Sequence, residues 1–283
     1  MPKLEPSGPL MPQPSARTAQ AVVETFDLTR KFGDLVAIEA VSLAIGAGEI
    51  FGLIGPNGAG KSTLVKMLTT MLPPSSGRAT VAGFDIVKKP GEVRKRIGYV
   101  PQLLSADGEL TGYENLLLSS RLYLIPGAER ARAIERALSM MGLSAVSNRL
   151  VRNYSGGMIR RLEIAQSMLH EPSIVFMDEP TVGLDPAGRH AVWNHVQALR
   201  RDLGAAIILT THYMDEADAL CDRIAVLHEG RLHALGTSAE LKSRVGANAT
   251  LDDVFTSLTG EGIEPEGSYR TVREGRRSVS QHT

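Results

Sequence analysis

The apolar positions change their period several times along the chain. Ala21–Leu28 reads as a strand. Val36 and Ile38 alternate, and so do Val41, Leu43 and Ile45, with a parity shift between the two sets that a β-bulge would produce. Gly46-Ala47-Gly48 turns the chain into Glu49–Ile54, a short apolar run of the buried-strand kind. Leu64, Met67, Leu68 and Met71 recur instead at helical spacing. Further strand material lies in 78–100 and ends in Arg94–Val100.

From 103 to 170 the pattern becomes helical. Leu116, Leu117, Leu118, Leu122 and Leu124 cluster, Ile134, Leu138 and Met141 recur at helical spacing, and Gly142 is a stop signal. A later helix carries Leu162, Ala165, Met168 and Leu169. Strand periods then return in 172–180 and Ala205–Thr210, on either side of an amphipathic helix built on Val192, Val196, Leu199 and Leu203. Ile224–His228 and Leu232–Leu235 flank Glu229-Gly230 as a hairpin, and short helices follow near 238–245 and 250–258. The reading is an α/β core over 21–258 with a helical subdomain inserted at about 103–170. Residues 1–20 carry five prolines and 259–283 are polar, so both tails are expected to be disordered.

Gly55-Pro56-Asn57-Gly58-Ala59-Gly60-Lys61-Ser62-Thr63 sits between the Glu49–Ile54 strand and the Leu64–Met71 helix. This is the G-x-x-x-x-G-K-[ST] pattern in its proper context. Its glycines let backbone N–H groups approach a phosphate, Lys61 can reach the β- and γ-phosphate oxygens, and the Ser62 hydroxyl can hold Mg²⁺. Ser155-Gly156-Gly157 opens a helix and can form a second anion cradle, although the same tripeptide is also an ordinary loop. Asp178 and Glu179 end a buried strand, at the edge where open α/β sheets bind ligands. One carboxylate there can hold Mg²⁺ and the other can orient or deprotonate a water. Phe32, Gln102 and His212 are weaker signals. Alone, each reads as a core aromatic, a loop glutamine and a structural histidine.

Composition narrows the class. Basic and acidic residues balance at 31 each, so nothing favours nucleic acid as a bulk partner. The one cysteine, Cys221, permits no internal disulfide and fits a reducing compartment. The histidines form no zinc-type cluster, no apolar run approaches the roughly 20 residues of a membrane span, and the first residues lack a signal-peptide core. A cytoplasmic protein is expected, with access to a membrane through a partner.

Taken together and in this order, the segments resemble the ATP-binding subunit of an ABC transporter, from about Val22 to Leu258. Gly55–Thr63 resembles the Walker A loop and Ile174–Glu179 the Walker B strand. Gln102 matches the Q-loop glutamine, Tyr154–Met158 the signature, Gly183–Asp185 the D-loop, and His212 the switch histidine. Phe32 matches the aromatic that stacks on adenine, where tyrosine is commoner. Tyr154 and Met158 replace the ends of the commonest signature, Leu-Ser-Gly-Gly-Gln, and leave its centre intact. Ser155–Glu163, Thr211–Ala217 and Leu251–Phe255 are similar to one branch, the daunorubicin-resistance and nodulation-type ATPases that serve exporters of drugs, lipids and polysaccharides.

The resemblance implies a P-loop NTPase core with a parallel sheet and an N-terminal antiparallel β subdomain. It implies ATP held by Phe32, the 55–63 loop and Asp185, Mg²⁺ held by Ser62, Gln102 and Asp178, and catalysis by Glu179, His212, Gln102 and Lys61. The implied partners are a separate membrane permease and a second copy of the chain, which places the protein on the inner face of the cell membrane. Two phosphate cradles but one Mg²⁺ and water apparatus point the same way: Ser155-Gly156-Gly157 would cover an ATP held by the other copy. Leu103–Ile125 has more leucines than a small subdomain needs inside, and some are expected to line a groove for a cytoplasmic helix of the permease. An importer ATPase and a non-transport ABC ATPase are the alternatives. The few residues after His212 disfavour the first, and the single motif set and short insertion disfavour the second.

Overall fold

The computed structural model describes residues 21–260; the tails expected to be disordered lie outside the described residues except at 259–260, where Thr259 ends a helix and Gly260 caps it. Strands β1 (Ala21–Phe32) and β2 (Leu35–Gly46) form a hairpin, followed by β3 (Ile50–Ile54), helix α1 (Lys61–Leu68), β4 (Ser76–Val81) and β5 (Phe84–Asp85). Helix α2 (Pro90–Arg94) and β6 (Ile97–Val100) lead to α3 (Gly112–Leu122), α4 (Gly127–Met140) and α5 (Gly156–Met168). Then come β7 (Ile174–Asp178), α6 (Pro186–Leu203), β8 (Ala206–Thr211), α7 (Met214–Leu220), β9 (Arg223–His228), β10 (Arg231–Gly236), α8 (Ser238–Ser243) and α9 (Leu251–Thr259).

Two sheets result. One is antiparallel, in the order β2-β1-β4-β5. The other runs β10-β9-β3-β8-β7-β6, parallel throughout except for the β9–β10 hairpin. The parallel strands separate two cores by the alternation of their side chains. Ile50, Val175, Met177, Ile207 and Leu209 face the helical side with α5 and α6. Phe51, Leu53, Ile174, Phe176 and Ile208 face α1 and the antiparallel sheet. A third cluster joins α7, α8 and α9 to β9 and β10.

The parity shift in β2 is a bulge at Ala40, whose φ is 48°. Leu28 faces Val41 while Arg30 faces Ile38, so β2 carries one residue more than β1 there, and the Ala40 N–H donates to Thr29 Oγ1. The expected Glu229-Gly230 turn is present, with both residues at positive φ as a two-residue hairpin requires. Its tip also ties two regions together. Gly230 N–H donates to Ala59 O in the phosphate loop, and Gly230 O accepts from Glu39 N–H on β2.

Two expectations are corrected. Arg94 belongs to α2 and not to a strand; Pro90 begins that helix, Glu92 sits in its first turn, and the strand starts at Ile97. Residues 103–110 are irregular, and the helical region opens at Thr111, which caps α3 through a capping box with Glu114.

Gly98 on β6 decides how closely α5 can approach the sheet. A Cβ there would lie 2.4 Å from the Ser167 carbonyl oxygen, which is backbone and cannot yield cheaply. Gly98→Ala is expected to lower stability by about 1–3 kcal/mol, a typical cost of overpacking. Urea denaturation against wild type checks this; an unchanged midpoint would mean that α5 does not rest on β6.

Candidate functional site

Four parallel strands deliver their C-terminal ends to one edge of the sheet. β3 leads into the 55–63 loop, β6 to Gln102, β7 ends in Asp178 and Glu179, and β8 ends just before His212. Distant stretches of the sequence therefore meet because the sheet is parallel.

The loop's shape depends on missing side chains. A Cβ on Gly55 would lie 2.1 Å from the Leu227 carbonyl oxygen, so the loop lies flat against β9 only with glycine there. Gly60, at φ 101°, caps α1 without a side chain, which leaves the first N–H groups of that helix open to an anion. Lys61 is buried, and its Nζ donates to Gly55 O at 2.7 Å and Pro56 O at 3.0 Å and lies 3.4 Å from Glu179 Oε1. Burial lowers the pKa of its ammonium, against the pull of Glu179 and Asp178.

Asp178 and Glu179 divide their contacts. Asp178 Oδ1 accepts from Ser62 Oγ at 3.1 Å and from Thr210 Oγ1 at 2.6 Å. Glu179 Oε2 accepts from Gln102 Nε2 at 3.0 Å, and His212 Nδ1 lies 3.4 Å from Glu179 Oε1. Burial alone would raise the Glu179 pKa; His212 and Lys61 outweigh it and hold the carboxyl below its ordinary range. Glu179 also has φ 48°, a left-handed conformation that costs a branched or long residue roughly 1–3 kcal/mol. Its N–H is held in that turn by the carbonyl and hydroxyl of Thr210, at 3.1 and 2.9 Å.

Thr210 carries no motif in the sequence, yet one hydroxyl of this buried residue donates to the Asp178 carboxylate and accepts from the Glu179 backbone N–H. Its only sequence signal is a hydroxyl at a strand end two places before His212. Glu216 lies in the Thr211–Ala217 stretch but carries no assigned role there. It is fully buried, burial raises its pKa, and its Oε1 accepts from Thr181 Oγ1 and Trp193 Nε1, both at 2.9 Å. It joins the segment after Glu179 to α6 and to the helix after His212.

The second cradle lies elsewhere. Ser155 caps α5 by accepting from Met158 N–H, and Gly156 and Gly157 are the helix's first residues. These three share an open cleft of about 390 Å³ with Gly183, Leu184, Asp185 and Gly188. No residue of the 55–63 loop lines it, nor do Asp178 and Glu179. Asp185 caps α6 through Gly188 N–H, so one of its oxygens is already engaged. Phe32 is exposed at the end of β1, with the Arg30 guanidinium 4.5 Å from its ring centre. Thus the structure gathers Lys61, Ser62, Gln102, Asp178, Glu179 and His212, and places Ser155, Gly156, Gly157 and Asp185 together at a second cleft that Phe32 does not line.

The donor set at the first place fits a nucleotide with a hard cation. Open N–H groups and a buried ammonium suit phosphate, and the paired Ser62 hydroxyl and Asp178 carboxylate are oxygen ligands of the kind Mg²⁺ takes. Among the described residues no group of three His, Cys, Asp or Glu side chains could hold a metal ion.

Comparison with known proteins agrees with this geometry. Residues 38–182 match the family described as ABC transporter. The daunorubicin/doxorubicin resistance ATP-binding protein DrrA of Streptomyces peucetius is 47% identical over 229 residues, covering 80% of this chain and 68% of its own. A solved ATP-binding subunit of an ABC transporter superposes with a TM-score of 0.74 at 31% identity, covering 84% of this chain and 99% of its own. An ATP-binding cassette solved as a dimer in a post-hydrolysis state with ADP and Pi is 25% identical, with a TM-score of 0.68 over 76% of this chain and 98% of its own. With its strand-end cluster and its helix-capping Ser-Gly-Gly, the chain belongs to the ABC transporter ATP-binding family and is an ATPase of the P-loop fold.

Proposed function

We propose that this ATPase powers an exporter whose membrane part is a separate chain, and that it works as a dimer with two shared ATP sites. The observation that carries the dimer is the separation of the cradles: Ser155, Gly156 and Gly157 open onto a cleft that excludes the 55–63 loop. In one chain the second cradle therefore has nothing to hold. In a two-fold pair it covers the partner's nucleotide. The export reading rests on similarity to the drug-resistance ATP-binding protein, and among the described residues no helix is long and apolar enough to cross a membrane.

Within a site, Lys61 clamps the β- and γ-phosphate oxygens, and the 55–63 backbone and the α1 N-terminus hold the rest of the phosphates. Ser62, Asp178 and Gln102 are the residues that would hold Mg²⁺, which when bound neutralises charge on the phosphates. Glu179, kept ionised by Lys61 and His212, orients and deprotonates the attacking water. His212 keeps that carboxylate in place, Phe32 stacks on the adenine, and Asp185 borders the partner's phosphates beside Ser155. Loss of the γ-phosphate removes the contact with the partner's cradle, and that difference in contact drives opening.

The permease is proposed to meet the chain at the start of the helical region. Leu118 and Leu122 share one face of α3, and with Leu103, Leu104, Tyr123 and Leu124 they stay exposed, whereas Leu116 is buried. Leu122 and Leu124 are 73% and 84% exposed, which no internal packing role explains. Leu103 and Leu104 directly follow Gln102 in the chain, so a membrane subunit seated on them would sense the state of the site.

Two outcomes are expected. Glu179→Gln removes the basic oxygen and keeps the shape. It should slow hydrolysis by roughly 10²–10⁴-fold and sediment as a long-lived dimer with ATP and Mg²⁺, but as a monomer with ADP. Adding Ser155→Arg should abolish that dimer, and Lys61→Ala should abolish hydrolysis; a doubly substituted chain that still dimerises with ATP would defeat the shared site. Separately, Leu122→Asp with Leu124→Asp should keep the ATPase rate of the isolated chain within about twofold, because these exposed side chains touch no core. The same variant should lose co-purification with the permease from membranes, and retained association would remove the proposed groove.

A further inference from the structure

Arg160 heads the largest fully buried side chains of the described residues, and the roles above leave it unused. A guanidinium is taken out of water only where its donors are matched. Here the two terminal nitrogens are matched, mostly on another segment, while the buried Nε has no partner among the described residues. Nη1 donates to Pro101 O at 2.6 Å and to Glu163 Oε2 at 3.0 Å, and Nη2 donates to Gln102 O at 2.7 Å. Glu163, also buried, turns its other oxygen to the same segment, where Oε1 accepts from Ser105 N–H and, at 3.2 Å, from Ser105 Oγ. Residues 101–105 lie in neither helix nor strand. Side chains one and two turns into α5 thus grip this segment at both ends.

The two ends of this grip belong to different sites. Gln102 sends its side chain to Glu179, in the site that holds the chain's own nucleotide. Helix α5 begins with Ser155-Gly156-Gly157, the cradle for the other nucleotide. Because α5 is a continuous helix from Gly156 to Met168, a displacement at Arg160 is carried to its first residues. We propose that Arg160, held by Glu163, is a positioning residue that couples the two cradles: movement of Gln102 in a chain's own site is passed through the paired carbonyls to the Ser155–Gly157 cradle. The coupling is internal to one chain, and its use in the catalytic cycle rests on the shared-site dimer. A fork is needed for this. The guanidinium spans two successive carbonyls with fixed geometry, which a single ammonium cannot do.

Hydrogen–deuterium exchange tests the coupling at a dilution where sedimentation shows the chain to be monomeric both without and with Mg²⁺ and a non-hydrolysable ATP analogue, so that no partner covers 156–160. In the wild type the nucleotide should slow exchange both in 101–106 and in 156–160. In Arg160→Lys, which keeps the ion pair and loses the fork, the change should stay in 101–106. The paired variant Arg160→Met with Glu163→Met leaves no unmatched buried charge and should behave likewise; circular dichroism melts establish that each chain is folded. ATPase kcat should fall roughly tenfold in both, with KM for ATP within about twofold, since coupling elements typically contribute in that range and nucleotide binding is untouched. Wild-type protection of 156–160 in a folded Arg160→Lys chain, or no response there in the wild type, would overturn the proposal. Failure of the dimer reading would appear instead as nucleotide-independent sedimentation, with the monomer exchange result still standing.

Discussion

A buried carboxylate that its neighbours hold in the ionised form stands where the strand ends of this molecule meet. Glu179 lies among apolar strands, where burial favours its neutral form. The ammonium of Lys61 and the ring of His212, each 3.4 Å away, reverse that preference, and the Gln102 amide supplies a further donor. These groups come from the ends of different strands. The parallel sheet, its two flanking cores and the close seat of α5 on Gly98 all serve to place them within reach of one another. The strained backbone at Glu179 fits the same picture, since a left-handed residue persists only where its surroundings fix it, and Thr210 does so from below.

Much of this was legible in the chain. The change from strand to helical period gave the core and the inserted helical region, and the phosphate loop showed itself through its flanks as much as its glycines. The bulge at Ala40 was visible as a break in parity, because alternation along a strand cannot skip a residue without one. Asp178, Glu179, Gln102 and His212 shared a positional mark: each stands at or just beyond the end of an apolar run.

Other features left no such mark. Thr210 differs from any strand threonine only by what its hydroxyl touches, 31 and 32 residues earlier in the chain. Arg160 and Glu163 stand in the Ser155–Glu163 stretch that marks the branch, but nothing in that stretch shows that they are buried as an i,i+3 ion pair bonded to the irregular 101–105 segment. The strand expected from Arg94 starts only at Ile97, because Pro90 begins a short helix that runs through Arg94. For Thr210, Arg160 and Glu163 the deciding partner is distant in sequence, and local patterning does not report it.

The Glu229-Gly230 hairpin tip has a geometric consequence. Through Gly230 it fastens Ala59 of the phosphate loop to Glu39 of β2, and the ladder of β2 against β1 continues to the Phe32–Leu35 pair. A Cβ on Gly230 would lie 2.7 Å from the Ala37 carbonyl oxygen, so the fastening leaves no slack. The end of β1, where Phe32 stands, and the phosphate loop are therefore joined in one frame by a β-ladder and a turn, so that a shift of either is passed to the other.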